Sequence, residues 1–397
     1  MPYSRIAQEI APSATVKVGT KVKELSMKGI KVIGFGMGEP DFDTPEHIKE
    51  AAIKAIRDGF TKYTPTSGMP ELREAICEKL WKDNQLKYSP SQVIVSCGAK
   101  QAILNIILVL CDKGDEVLIP SPYWVSYPEQ VKMAGATPIF LKTWDENNFN
   151  ISVDSLENAI TPKTKLLIIN SPSNPTGTVY SESELRKIVG YAIEKGLYVL
   201  SDEIYEYIIY DGVKHASPAS FGDEFMKKVI TVNGFSKSYA MTGWRLGYAA
   251  GPKDIIDAAI KIQDHVSSNA NSIAQKAGLA ALKGDQSSVA KMVEEFDKRR
   301  TYIVGRLNAI PDICCLTPQG AFYAFPNISA LYNRSVAGSI PKNSSHLVDI
   351  LLEKAGIAFV PGEPFGSDNH IRISYATSME AIEEGMDKLE NILSVKQ

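Results

Sequence analysis

The chain reads as an α/β protein: a large domain on a mainly parallel sheet flanked by helices, followed by a smaller α+β domain. Three observations predict this. Short apolar runs alternate with helical patterns through the middle of the chain, the order that sets strands side by side with helices as crossovers. Those runs are apolar at every position rather than every second one, so both sheet faces are covered. The 397 residues exceed one comfortable core, because domains usually run to about 100 to 200 residues.

In chain order, residues 1–45, with several Pro and Gly, are expected to join the small domain or reach towards a second subunit. Residues 46–289 are expected to form the large domain and 290–397 the small one. Apolar periodicity predicts helices over 46–58, 70–83, 100–111, 254–265 and 270–283. Between and among them, Val93–Ser96, Glu116–Ile119, Leu166–Ile169, Leu197–Leu200 and Val229–Val232 read as strands. Ser181-Glu-Ser-Glu184 is a capping box, in which the serine accepts from the third helical amide and the glutamate reaches back. It opens a helix that runs towards Lys195-Gly196. A long charged helix from about 286 to 308 leads into Phe322–Phe325, a helix near 345–355, Ala358–Val360, His370–Ser374 and a last helix from about 378.

Composition excludes several classes. With 44% apolar and 22% charged residues the chain is neither disordered nor fibrous. A net charge of −3 gives no field to hold nucleic acid. Five cysteines, Cys77, Cys97, Cys111, Cys314 and Cys315, show no C-x-x-C spacing, so neither a disulfide framework nor a zinc site is expected and a reducing compartment fits. Met1–Arg5 does not open a charged and then apolar leader, and no stretch approaches 18 apolar residues, so a cytoplasmic protein without a membrane partner is expected. The histidines, His47, His215, His265, His346 and His370, have no metal-ligand spacing, and no metal is expected. Gly34-Phe-Gly-Met-Gly38 imitates a dinucleotide fingerprint, but Glu39-Pro40 follows at once and no helix opens there.

Three segments together point to chemistry: Ser171-Pro-Ser-Asn-Pro-Thr-Gly177, Ser201-Asp-Glu-Ile-Tyr205, and Ser236-Lys237 with Arg245 eight residues on. They carry what a lysine-bound pyridoxal phosphate needs. An aldehyde cofactor requires an amine that can join it and later act as a base, hence a lysine with a pKa below the usual ~10.4. Lys237, just past a strand and near Arg245, suits both demands, although a lone lysine is ordinarily a solvated surface charge. Asp202 ends a buried strand, at the rim where open α/β sheets bind ligands, and a carboxylate there can keep a pyridine nitrogen protonated. Tyr205 and the amide of Asn174 can donate to the ring's phenolic oxygen; otherwise Asp202 is a cap and Tyr205 a core residue. Ser96-Cys-Gly98-Ala-Lys-Gln101 runs from a strand into a helix, and amides at such a start bind a phosphate. Gly98, Ala99 and Lys100 lie in that start, with Ser236 and Arg245 adding a hydroxyl and a fork-shaped cation. Trp124 follows another strand end, where its ring can stack on the cofactor or simply fill the core.

These segments, with Ser236 extended through Lys-Ser-Tyr-Ala-Met-Thr-Gly-Trp-Arg-Leu to Gly247, resemble the fold-type I, class I aminotransferases that use pyridoxal phosphate. Gly38-Glu-Pro-Asp-Phe-Asp-Thr-Pro45, Tyr63-Thr-Pro-Thr-Ser-Gly68, Ser121-Pro-Tyr-Trp-Val-Ser-Tyr-Pro128, Gly320-Ala-Phe-Tyr323 and Arg372-Ile-Ser-Tyr375 extend the resemblance, towards the bacterial aspartate aminotransferase branch, over nearly the whole chain. The resemblance implies a seven-stranded main sheet, with Lys237 as Schiff-base lysine and proton shuttle and Asp202 at the ring nitrogen. It implies Asn174 and Tyr205 at the phenolic oxygen, Trp124 on the ring, and Gly98, Ala99, Ser236 and Arg245 on the phosphate. Tyr63 would reach the cofactor of the other subunit of a homodimer. Arg372 would clamp the substrate α-carboxylate, with Gly38, Trp124 and Asn174 alongside, on a small domain that closes over amino-acid and 2-oxo-acid substrates. The implied reaction is a ping-pong transamination. L-Aspartate with 2-oxoglutarate is the expected pair, because Lys100 at the helix start can meet a distal carboxylate. Aromatic, alanine or prephenate amino transfer on the same scaffold is the alternative. Relatives that aminate prephenate carry a basic residue before Pro-Ser-Ala-Thr, where this chain has Ala11, so weak prephenate activity is expected.

Overall fold

A computed structural model gives the structure of residues 3–394; residues 1–2 and 395–397, the outermost ends of the expected N-terminal segment and small domain, lie outside the described residues. The main sheet has seven strands: β1 (Val93–Ser96), β2 (Glu116–Ser121), β3 (Thr137–Lys142), β4 (Thr164–Asn170), β5 (Tyr198–Asp202), β6 (Val229–Gly234) and β7 (Gly247–Ala250). Their spatial order is β1-β7-β6-β5-β4-β2-β3. Only β7 is reversed, running antiparallel to both β1 and β6. The register pairs Asn170 with Asp202, and Asp202 with Val232.

Alternation along the strands explains their unbroken hydrophobicity. Val93, Val95, Leu118, Leu167, Ile169, Val199 and Val229 pack into one apolar cluster, while Ile94, Val117, Ile119, Leu166, Ile168, Leu200, Ile230 and Val232 pack into another. Successive side chains point to opposite faces, so two clusters drawn from alternate residues mean that helices cover both sides. Burying each such side chain stabilises the fold by about 1.5–3 kcal/mol before entropy is counted. The covering helices include α1 (Glu46–Arg57), α2 (Pro70–Asn84), α3 (Ala99–Leu110), α4 (Ser126–Met133), α5 (Glu182–Glu194), α6 (Lys253–Val266) and α7 (Ser272–Lys283). The capping box forms as its spacing predicts: Ser181 Oγ accepts from the Glu184 amide at 3.3 Å and Glu184 accepts from the Ser181 amide at 2.9 Å.

Two strands of the seven escape periodicity. β3 reads Thr-Pro-Ile-Phe-Leu-Lys on the sheet edge, half exposed, with a proline that an interior strand would not carry. β7 is Gly-Tyr-Ala-Ala, short and without a β-branched residue. Helices α4, Val153–Ala159 and Ala14–Met27 are likewise additions to the sequence reading; Ala14–Met27 buries no residue fully, so its apolar pattern is weak.

After α8 (Ser287–Ala309) come β8 (Tyr323–Ala324), α9 (Ser344–Ala355), β9 (Val360–Pro361), β10 (Ile371–Ser374) and α10 (Met379–Ser394). The strands form a three-stranded antiparallel sheet in the order β9-β10-β8. A third apolar cluster gathers this region around Phe296, Phe322, Phe359 and Ile373, and draws in Ile33 and Phe35 from the N-terminal segment. Ile33–Gly34 pairs in parallel with Ile357–Ala358. The chain then continues through Gly36 and Gly38 between the main sheet and the small one.

Candidate active site

The parallel strands β1, β2, β4, β5 and β6 all end on the same rim, and the segments following them carry Gly98, Trp124, Asn174, Asp202, Ser236 and Lys237. In open α/β sheets that rim is where ligands bind. Here it opens into a cavity of about 600 Å³ lined by Gly38, Ala99, Lys100, Trp124, Asn174, Asp202, Tyr205, Ser236, Lys237, Arg245 and Arg372 among others. Gly98 is not in the cavity wall but lies directly beneath Arg245. Tyr63 stands apart, 91% exposed.

Asp202 is buried at the last position of β5. Burial pushes its carboxyl up to about 6, against the hydroxyl of Tyr127, which donates to Oδ2 at 2.6 Å, and the Ile204 amide, which donates to Oδ1 at 3.2 Å. Asn170 fixes the neighbouring backbone: its amide donates to the Asp202 carbonyl at 3.0 Å, and its Oδ1 accepts from the Asn174 amide at 2.9 Å. Lys237 donates to the Gly38 carbonyl and lies 5.8 Å from the ring centres of both Tyr205 and Phe322. Desolvation, reinforced by the positive charges of Arg372 and Arg245, lowers its amine to about 8. A neutral, nucleophilic amine is therefore available near neutral pH.

Arg372 is 1% exposed, an unusual place for a guanidinium. Nη1 donates to Asn174 Oδ1 at 3.0 Å and Nη2 to the Gly36 carbonyl at 2.8 Å, while Nε is buried without a partner. The Tyr323 ring lies 4.5 Å from the guanidinium and that of Phe365 5.1 Å. A buried cation with an unsatisfied donor is a demand for an anion. The Tyr323 hydroxyl also shares a 2.8 Å hydrogen bond with Tyr205, so one tyrosine pair spans the floor between Arg372 and Lys237.

At the start of α3 the backbone is shaped for an anion. Gly98 has φ 85°, and a Cβ there would come within 2.4 Å of Arg245 Nη2. A Cβ on Gly247, in the adjacent β7, would meet the Ala99 amide nitrogen at 2.3 Å. Both glycines are thus required by close approach, which brings Arg245 over the free amides of the helix start. Arg245 is itself left-handed, φ 52°, and anchors to the Thr242 carbonyl at 2.9 Å. Lys100 lies over the Trp124 ring, 4.9 Å from its centre, and desolvation together with Arg245 lowers its pKa. The assembled groups can hold a flat ligand with an anionic end at α3, a ring between Trp124 and Asp202, and a second anion at Arg372.

Tyr127, Asn170 and Tyr323 join this site without having been singled out from the sequence. Tyr127 could have been found: it follows Trp124 by three residues at a helix start, a spacing that puts both on one side. Tyr323 closes the Gly320-Ala-Phe-Tyr323 motif, which had been given no role at the site, and Asn170 had no signal, since a strand-end Asn is common. Elsewhere, Glu203, Glu206 and His215 bring ligand-type atoms within 4.8 Å of one another, a grouping invisible in their spacing. The five cysteines are free, and among the described residues no helix is long and apolar enough to cross a membrane.

Comparison with known proteins gives a consistent result. Residues 30–389 match the profile of the family described as aminotransferase class I and II. The chain is 46% identical over 396 residues to the aspartate aminotransferase of Geobacillus stearothermophilus, covering 100% of both. It is 46% identical over 392 residues to the probable aspartate/prephenate aminotransferase of Aquifex aeolicus, covering 98% of both. Among solved structures it resembles the aspartate aminotransferase of Rhizobium meliloti, with a TM-score of 0.95 and 40% identity over 99% of this chain and 98% of that one. The Thermus thermophilus aspartate aminotransferase with maleate superimposes at a TM-score of 0.93 with 40% identity, over 99% of this chain and 100% of that one.

Proposed function

Because the chain belongs to the class I and II aminotransferase family and is an aminotransferase, we propose that it uses pyridoxal 5'-phosphate to pass the amino group of L-aspartate to 2-oxoglutarate, yielding oxaloacetate and L-glutamate. The observation that carries this reading is a single cavity holding a lowered lysine amine, a buried carboxylate and a buried, incompletely paired arginine.

The residues fit the cofactor. The Gly98 and Gly247 cradle under Arg245, with Ser236, would take its phosphate; Asp202 would hold its ring nitrogen, Trp124 its face, and Tyr205 and Asn174 its phenolic oxygen. Bound there, the cofactor supplies an aldehyde that accepts the amino group and an electron-poor ring that accommodates the charge left by the departing α-proton.

This chain's own groups do the rest. Asp202 raises the basicity of a nitrogen facing it, each pKa unit being worth about 1.36 kcal/mol. Lys237 Nζ, lowered to about 8, takes a proton at neutral pH and returns it as an ammonium. Arg372 offers a planar fork to an α-carboxylate and fixes which substrate bond faces Lys237. The small domain carrying Arg372 would close over the bound acid and exclude water. Lys100, which lines the same cavity as the strand-anchored Arg372, would receive the distal carboxylate of a dicarboxylic acid. A structural neighbour was solved with maleate, itself a four-carbon dicarboxylate. Prephenate is the less favoured substrate: at Ala11 no side-chain charge is offered, and its amide donates to Glu129, a carboxylate, at 2.9 Å.

The test is a half-reaction. The protein loaded with pyridoxal phosphate and given L-aspartate without an acceptor is expected to release one oxaloacetate per site, and Lys237→Ala none. Lys100→Ala is expected to cut the preference for aspartate over alanine in kcat/KM by about 10–100-fold, the worth of one charge-assisted hydrogen bond. An unchanged preference would remove Lys100 from the reading, and an absent half-reaction would remove aspartate.

A further inference from the structure

Glu203 follows Asp202 directly but turns to the other side of the sheet, into a buried polar cluster that touches no part of the cavity. There it accepts from the hydroxyls of Ser201 at 2.8 Å and Ser217 at 2.9 Å, and shares a 3.0 Å hydrogen bond with His215 Nε2. Glu206 accepts from Lys79, from Asn84 Nδ2 at 2.8 Å and from Asn233 Nδ2 at 2.6 Å. Side chains of both carboxylates and of Lys79 are 6% exposed or less, and that of His215 is 9% exposed.

The three ligand-type side chains do not make a metal site. An ammonium and two amide N–H groups already engage the oxygens of Glu206, which is where a cation would sit. What the cluster lacks is charge balance. Two carboxylates against Lys79 leave one negative charge uncompensated in a buried place, a state that is expensive unless another cation is present. His215 is the remaining cationic candidate in contact. Its Nδ1 is buried without a partner; the other groups facing the two carboxylates are neutral, Tyr88 beside Glu203 and Thr231, and Tyr239 and Tyr248 beside Glu206. Asp83 is a further charge near the cluster, 3.9 Å from Lys79 and 27% exposed, where water screens it. Burial, and the positive charge of Lys79, pull the imidazole down, but the hydrogen bond to Glu203 and the charges of Glu203 and Glu206 outweigh both and raise its pKa.

We propose that His215, as an imidazolium paired with Glu203, is a positioning residue for Asp202: it neutralises the carboxylate directly behind Asp202 and so keeps Asp202 ionised for the reaction. The inference rests on the reading of Asp202 as the partner of the cofactor's ring nitrogen. The negative charge of Glu203 already opposes ionisation of Asp202. Losing the proton of His215 exposes that charge fully, and losing the charge of Glu203 removes it.

Opposite signs follow, which loosened packing does not produce. In the full chain, the His215 C2 proton is expected to titrate above the ordinary ~6.5, and Glu203→Gln to bring it down by about one unit. This first titration is made on the unsubstituted chain, with assignment by His215→Gln or by replacing the other histidines in turn. The Asp202 carboxyl carbon, followed by carbon-13 NMR without cofactor and assigned by Asp202→Asn, is expected to move up by about one unit in His215→Gln and down in Glu203→Gln. The acid limb of kcat/KM in the loaded enzyme is expected to move in the same two directions. A His215 imidazole neutral at pH 7 overturns the proposal, as do shifts of one sign in both variants. If instead Asp202→Asn leaves transamination intact, the role of Asp202 fails while the opposed NMR shifts persist, so the two failures are distinguishable.

Discussion

Asp202 and Arg372 are both held where their charges are costly. Function and stability therefore pull against each other at single residues, and at Asp202 the direction can be worked out. Its folded pKa of about 6 lies above the ordinary ~3.9 of an unfolded aspartate. Below about pH 4 the group is protonated in both states and costs nothing; the cost grows from pH 4 to 6 and is complete above that. Cofactor-free Asp202→Asn is accordingly expected to be more stable than the parent by about 1–3 kcal/mol at pH 8 and equal to it near pH 4, measured by urea unfolding. Its transamination rate is expected to fall at least about a hundredfold. An equal stability difference at both pH values would show that the carboxylate is not the source. The residue types of this site were legible because Asn174, Asp202, Tyr205, Lys237 and Arg245 fall in three segments that together carry what a lysine-bound pyridoxal phosphate needs. The hydroxyl of Tyr127 on Asp202 and the Tyr205–Tyr323 pair were not, because such bonds join residues distant in the chain.

At the scale of elements, the junction of β1 and α3 concentrates the constraints. Gly98 combines a left-handed φ of 85° with a guanidinium where a Cβ would stand. Gly98→Ala is expected to displace Arg245 and weaken cofactor affinity by about tenfold or more, through about 1–2 kcal/mol of backbone strain and a lost charge-assisted bond. Equilibrium dialysis of pyridoxal phosphate against the variant checks this, and unchanged affinity would separate Arg245 from the phosphate. Strand and helix identity could be read wherever the apolar pattern was long and unmixed, as in β1 or α5. It failed at β3 and β7, where Pro, Lys, Gly and Ala sit in a sheet because neighbouring strands supply the pairing. β7 in particular owes its glycine to the helix start it must clear rather than to strand propensity.

For the whole molecule, the N-terminal segment acts as a thread between the two sheets. The Phe35 amide donates to the Ala358 carbonyl and its carbonyl accepts from the Ser374 amide in β10, both at 2.8 Å, and the carbonyls of Gly36 and Gly38 then receive Arg372 and Lys237. Its role was legible only as composition, since tight packing against residues more than 300 positions away leaves no local pattern. Tyr63, 91% exposed and away from its own cavity, belongs to the same scale. A second copy of the chain is expected to bury it: sedimentation equilibrium should give a homodimer, and Tyr63→Phe should lower cofactor affinity by about 3–10-fold, the worth of one hydrogen bond. A fully active monomer would contradict this.

The register of β5 on β6 has a further consequence. Asp202 lies opposite Val232 across strands about 4.8 Å apart, and Lys237 stands five residues further on, in the turn that follows β6, so the placing of acid and amine depends on that register and on that turn. Slippage of β6 along β5 would move Lys237 relative to Asp202 and exchange the two buried faces of β6 between the apolar clusters. Divergence in this scaffold is thereby channelled to the surrounding loops, which can trade one acid for another while the reacting pair keeps its measure.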